Sequence, residues 1–192
     1  MSSFKPAPGL RQRKKTATRL AIRRAAIRLF EQHGFADTTV EQIADAADVS
    51  PRTFYRYFAA KEAVLICDYA ELVMGAFQRA PAELSPVAAY RYAVAAYFDE
   101  LSDAERHETI VAQHLLYSVP EGRGLLYAEY TLLMRLMTEA LGVRLGPSSR
   151  LAERQTIAGA IVGVLIAVSD ANPLPEESLT RGLEILESML AR

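Results

Sequence analysis

The sequence predicts an all-α protein, with a three-helix module near the N-terminus and a larger helical domain behind it. Three observations support this. Apolar residues recur at helical spacing through most of the chain, Ser-Pro and Thr-x-x-Gln/Glu pairs stand where helices should begin, and Gly or Pro interrupts the pattern at intervals of about one helix. A chain of 192 residues can bury a substantial core as one domain or two small ones.

Charge divides the chain. Residues 1–62 hold 12 Lys+Arg against 6 Asp+Glu, whereas residues 63–192 hold 10 against 17, so the net −1 conceals a basic head and an acidic remainder. Such a head suits a phosphate backbone, and the remainder would avoid one. The single cysteine, Cys67, excludes an intrachain disulfide and fits a small apolar residue in a helix. The cytosol is the consistent compartment, because MSSFKPAPGLRQRKK lacks the apolar region of a signal peptide. The longest apolar run, residues 157–168, has 12 residues and is too short to span a bilayer, so no membrane partner is expected.

Residues 1–15 are rich in Pro, Gly and Lys/Arg and read as a flexible basic arm in which Arg11, Arg13, Lys14 and Lys15 meet phosphates or enter a minor groove. The first helix is expected from about Thr16 to Gln32, with Gly34 at C′. Leu20, Ile22, Ala25, Ala26, Leu29 and Phe30 give it a broad apolar surface, while Arg19/Arg23 and Arg24/Arg28 form basic pairs four residues apart.

Residues 38–62 read as two short helices joined by a tight turn. Thr38-x-x-Glu41 and Thr39-x-x-Gln42 both fit a capping box for the first, whose stripe is Val40, Ile43, Ala44 and Ala47. Asp48 stands where so sharp a reversal needs a positive φ. Ser50 caps the second helix and Pro51 occupies its first position, where a missing N–H costs nothing. Phe54 and Phe58 share its inner face; Arg52 and Arg56 share another, flanked by Pro51 and Tyr55. A helix so divided fits the major groove of B-form DNA, where arginine reads guanine edges and threonine packs on thymine methyls.

This segment resembles the helix-turn-helix of TetR-type transcriptional regulators. Thr39, Ile43, Ala44, Ala47, Val49, Ser50, Thr53, Phe54, Tyr55, Tyr57, Phe58, Lys61 and Glu62 stand at matching positions, and Asp48 replaces the usual glycine. The resemblance implies a DNA-binding domain over 16–60 and a regulatory and dimerisation domain over 61–192. On this reading Arg52 contacts base edges first, then Thr53 and Tyr55, with Pro51 on the same helix face. Arg19, Thr39, Tyr57 and Lys61 are candidates for phosphate. A long helix should then run from Lys61 to about Arg79, with Val64, Leu65, Tyr69, Leu72, Val73 and Phe77 inward.

Further helices are expected over about 86–101, 103–119, 123–141, 150–169 and 176–190, with Pro120 and Gly122 breaking the pattern before the third of them. The resemblance implies an apolar effector pocket in this domain, with Tyr90, Tyr97, Phe98, His114, Tyr117, Tyr127, Tyr130, Met134 and Met137 as candidate lining. Within the family, GLRQRKK followed by SPRTFYRYF is most similar to a branch that includes regulators of acyl-CoA-like ligands. The resemblance also implies a homodimer through the last two helices, for which Gly159, Gly163, Leu179, Leu183, Leu186 and Leu190 are the candidates. Three scattered histidines and one cysteine form no catalytic constellation, and no cofactor is expected. The competing class is a helical scaffold dimer with non-specific nucleic-acid affinity.

Overall fold

The computed structural model describes residues 10–66, 69–171 and 176–190, which fold into two compact units meeting in sequence at Leu65/Ile66. The first unit contains α1 (Leu10–His33), α2 (Val40–Ala46), α3 (Pro51–Tyr57) and a 3-10 turn over Lys61–Leu65. Its core joins Ile22, Ala26, Ile27 and Phe30 of α1 to Ile43 and Ala44 of α2, Phe54 and Phe58, and Val64 and Leu65. Helix α1 begins at Leu10, six residues before the expected Thr16. Leu-Arg-Gln-Arg-Lys-Lys consists of good helix formers, and no Gly or Pro follows Gly9 to interrupt them. Part of the expected flexible arm is therefore helix; its residues before Leu10, and Cys67, lie outside the described residues.

Local chemistry explains the boundaries here. Gly34 takes φ +86° after α1. Of the two possible capping boxes, the one formed is Thr39–Gln42: the Thr39 hydroxyl accepts the Gln42 N–H at 3.2 Å, and the Gln42 side chain accepts the Thr39 N–H at 2.7 Å. Thr38 is instead buried, donating its hydroxyl to the Gly34 carbonyl at 2.8 Å. Asp48 has the positive φ expected of it, 53°.

The expected continuous helix over 61–79 is replaced by the 3-10 turn and, from Tyr69, by α4. The Lys61 ammonium reaches back to donate to the carbonyls of Phe35 at 2.6 Å and Thr38 at 2.9 Å. Those bonds, with Val64 and Leu65 buried beside them, hold the turn against the end of α1.

The second unit contains α4 (Tyr69–Arg79), α5 (Pro86–Asp99), α6 (Asp103–Ser118), α7 (Pro120–Arg144), α8 (Leu151–Ala171) and α9 (Glu176–Leu190). Helices α4, α5, α9, α8 and α7 pack each on the next in a closed ring, and α6 lies on α7. The ring encloses Phe77, Tyr90, Leu133, Met137, Leu141, Ile161 and Leu183. Polar clamps fasten it. Arg144, its guanidinium over the Phe77 ring, donates to the carbonyls of Ala80, Pro81 and Leu84, which follow α4. Arg91 of α5 pairs with Glu184 at 2.9 Å and Glu187 at 3.5 Å on α9.

Two expectations about α7 and α4 need correction. Pro120 starts α7 rather than breaking it, because proline fits the first helical position. Gly122 is needed there: a Cβ on it would lie 2.4 Å from the Leu116 carbonyl oxygen, so only glycine lets α7 turn this closely off α6. Leu72, expected inward, is 54% exposed, on the side of α4 away from Val73 and Phe77.

Candidate nucleic-acid interface and effector site

Helix α3 is built to show one face and bury the other. The Ser50 hydroxyl accepts the Thr53 N–H at 3.1 Å, and Pro51 fixes the first turn. Phe54 and Phe58, with ring centres 5.6 Å apart, are sealed into the core. Arg52, Pro51 and Arg56 are exposed, as is Tyr55, whose ring meets Phe54 edge-on at 5.5 Å. Thr53 is half-buried with its hydroxyl 3.0 Å from that of Ser50, so the cap already engages it. Tyr57 is half-buried, with the Arg56 guanidinium 5.3 Å from its ring centre.

The remaining candidates of this unit divide into exposed and structural groups. Lys14, Lys15 and Thr39 are exposed. Arg11 and Arg13 lie within α1. Arg19 is half-buried with its guanidinium 5.4 Å from the Phe58 ring centre, where it braces α3. Arg23, expected in a basic pair with Arg19, is buried. Lys61 sits over the Phe35 ring at 4.3 Å and uses two of its three N–H donors on backbone carbonyls.

In the second unit the candidate lining separates by depth. Tyr90, Tyr97, Phe98 and Met137 are buried, and Tyr117 and Tyr130 are half-buried. His114, Met134 and Tyr127 are exposed, Tyr127 to 76%. On amphipathic α6 and α7 they fall on the face away from the packed stripe, so these three do not line an interior site. Arg106 donates to the Phe98 carbonyl at 2.9 Å, which makes it a cap for α5.

Four of the interior candidates, Tyr90, Tyr97, Tyr117 and Tyr130, carry hydroxyl groups. Tyr69 and Tyr90 meet hydroxyl to hydroxyl at 3.4 Å, and Tyr117 meets Tyr130 in the same way. Burial pushes the Tyr90 phenol up to about 12; the Tyr69 hydrogen bond opposes this and Tyr130 adds to it. Tyr130 is raised further, first by burial and then by Tyr117. Ser169 is wholly buried, and its side chain lies close enough to Tyr130 to oppose that rise. Tyr69 and Ser169 were not among the expected site residues. Ser169 had a readable signal, a lone hydroxyl closing the apolar run of α8. No group of three or more His, Cys, Asp or Glu able to hold a metal occurs among the described residues.

Comparison with known proteins agrees with this architecture. The N-terminal domain of bacterial regulatory proteins of the tetR family matches residues 22–66, and the MftR C-terminal domain matches residues 84–192. The chain belongs to the TetR family. It is 41% identical over 111 residues to the HTH-type transcriptional regulator TcmR of Streptomyces glaucescens, covering 56% of this chain and 49% of TcmR. It therefore spans about half the length of that relative. It is 31% identical over 140 residues to the HTH-type transcriptional repressor NicS of Pseudomonas putida, covering 70% of this chain and 63% of NicS. Among solved structures, the TetR-family repressor FadR of Thermus thermophilus, in complex with lauroyl-CoA, superposes with a TM-score of 0.56 at 23% identity, covering 90% of this chain and 93% of FadR. That likeness is one of fold.

The last two helices carry the residues expected to meet a second copy, and among them Leu179 and Leu183 need correction. Leu179 and Leu183 are buried in the subunit's own core, and Leu186 packs against it. Their stripe closes the ring onto α5 and α8, so it is not available to a partner. Within the subunit the close contact of α8 and α9 is at Gly182, where a Cβ would lie 2.7 Å from Val164 Cγ1. At Gly159 and Gly163 a Cβ would meet nothing within 4 Å. Ile166, Ile185, Met189 and Leu190 are exposed apolar residues on the same two helices. By length and composition the segment Leu151–Ser169 could cross a membrane, a longer stretch than the 12-residue run alone, and 22% of it is buried. Its buried residues Ala158, Ile161, Val162 and Leu165 belong to the ring's core.

Proposed function

We propose that the protein is a ligand-responsive transcriptional repressor that binds duplex DNA as a homodimer in the cytoplasm. The observation that carries this reading is α3 itself, with Arg52 and Tyr55 outward on a helix locked by Phe54 and Phe58. Arg52 reads a base edge, Tyr55 and Thr53 contribute beside it, and Thr39, Tyr57 and Lys61 contact phosphates. Lys14 and Lys15, with Arg11 and Arg13 in the same helix, add sequence-independent attraction that weakens with salt. The open side of Gly159 and Gly163 and the apolar tips of α8 and α9 support pairing with a second copy, and two-fold symmetry then requires two related half-sites.

The effector is small and mostly apolar, held among the aromatic residues of the second unit. An acyl-CoA-like molecule is one class, supported by the lauroyl-CoA bound to FadR and by the likeness of the N-terminal motif. Induction is a population shift: the effector binds the DNA-incompetent dimer more tightly than the competent one. Selection of bound duplexes from a random pool tests the core of the reading. Recovery of a palindromic site is the expected result; binding that is independent of sequence and abolished by salt would instead support a non-specific scaffold.

A further inference from the structure

We infer that Arg56 is a second base-reading side chain beside Arg52, so that each half-site of the bound DNA carries two guanines no more than two base-pair steps apart. This rests on the DNA-binding reading of α3 above and gives its target a composition. Arg52 and Arg56 are both exposed and stand four residues apart, so they leave α3 on one line with Cβ atoms about 6 Å apart. Bases stack about 3.4 Å apart, so that interval corresponds to about two steps of a duplex. Helix α3 has seven residues and is about 10 Å long, less than the roughly 12 Å width of the major groove. With Arg52 in its first turn facing the groove floor, Arg56 on the same line faces it as well, and the phosphates flank the groove on either side.

Both guanidiniums are available for this. Among the described residues no ion pair engages Arg52 or Arg56. The arginines of α1 differ, since Arg19 lies against the Phe58 ring and Arg23 is buried. Arg56 is also held ready: its guanidinium lies over the ring of half-buried Tyr57, 5.3 Å from the centre. A stacked guanidinium has one face covered and its N–H fork free at the edge. That fork matches the O6 and N7 acceptors of guanine, a pair that no other base presents in the major groove. A side chain already fixed loses less freedom on bonding, which makes Tyr57 a positioning residue for Arg56.

Position in the motif points the same way. Thr53, Tyr55 and Tyr57 stand where the chain matches the TetR motif, whereas Pro51, Arg52 and Arg56 do not. Of these three exposed residues outside the shared motif, only the arginines carry hydrogen-bond donors. A sequence preference belonging to this chain therefore has Arg52 and Arg56 as its carriers on α3.

The test selects duplexes from a random pool with the purified full-length protein and with its Arg52→Ala, Arg56→Ala, Arg56→Lys, Tyr57→Leu and Tyr57→Phe variants. Affinity for the selected duplex and for a random one is then measured across salt concentrations. The wild-type half-site is expected to hold two guanines within two steps. Arg56→Ala should relax one of them and leave the other, which Arg52→Ala relaxes, and should weaken the selected duplex roughly 5- to 100-fold. Arg56→Lys keeps the charge without the fork, so the same preference should fall while random-DNA affinity and its salt dependence stay those of the wild type. Tyr57→Phe, which keeps the ring, should retain the preference for guanine at the Arg56 base pair, and Tyr57→Leu should reduce it roughly 2- to 5-fold. A preference unmoved by Tyr57→Leu would remove Tyr57 from its positioning role. Equal weakening of selected and random duplexes by Arg56→Ala, with a salt slope shallower by about one, would make Arg56 a phosphate ligand and overturn the inference. So would a selected site whose preferences survive Arg56→Ala or Arg56→Lys, and in either case the regulator reading stands. Absence of any preferred site for the wild-type protein would overturn both.

Discussion

The two units differ in how far along the chain their decisive contacts reach. In the first, local devices set the boundaries of α2 and α3: the Thr39–Gln42 box, the left-handed Asp48, the Ser50 cap and Pro51, all between residues 39 and 51. In the second, the decisive contacts join residues far apart in sequence, such as Arg144 with Ala80 and Leu84, or Arg91 with Glu184 and Glu187. On the proposed function α3 must present Arg52 and Tyr55 in a fixed register, which short-range caps and two sealed phenylalanines provide.

The sharpest way to break the contrast is Phe54→Ala. Removing a wholly buried ring should cost about 3–5 kcal/mol, and hydrogen exchange should report it in α1–α3 while α5, α7 and α9 stay protected. Equal loss of protection in both units would make them one cooperative block. Next comes Gly122→Ala, whose added Cβ meets the Leu116 backbone. It should lower the stability of the second unit by roughly 1–3 kcal/mol, seen in denaturant melts followed on that unit, with DNA affinity per folded molecule unchanged.

Arg52→Ala should leave both units folded and cost about 1–3 kcal/mol on the selected DNA site, with relaxed preference at one base pair. Equal weakening on selected and random DNA would move Arg52 to the phosphate contacts. The smallest effect is expected from Asp48→Gly. Relief of the left-handed φ at 53°, partly cancelled by the greater freedom of glycine in the unfolded chain, should stabilise the first unit by roughly 0.5 kcal/mol. A loss of stability in thermal melts would show that the Asp48 side chain holds the turn.

Legibility followed the same division. Ser50, Pro51, Phe54 and the positive φ of Asp48 could be read because each consequence lies within four residues of its cause. Lys61 could not: its partners at Phe35 and Thr38 are 26 and 23 residues away, and they turn an apparent helix start into a 3-10 strut. Leu179 and Leu183 misled for a related reason. A leucine stripe marks which side of α9 is apolar, but it carries no information on whether α5 and α8 of the same subunit or a second copy will cover it.

The amino-acid sequence alone determined that the chain is helical, where most helices begin, and that α3 has an aromatic inner side and a basic outer one. Those properties depend on caps, prolines and spacing along a single helix. Tertiary structure decided that Gly182 rather than Gly159 or Gly163 sits at the close contact of α8 and α9, and that His114, Tyr127 and Met134 face outward. It also paired the hydroxyl of Tyr69 with that of Tyr90, and that of Tyr117 with that of Tyr130. The physical reason is that helical periodicity sets the angle at which a side chain leaves its own axis, whereas its neighbours depend on which helices close the ring.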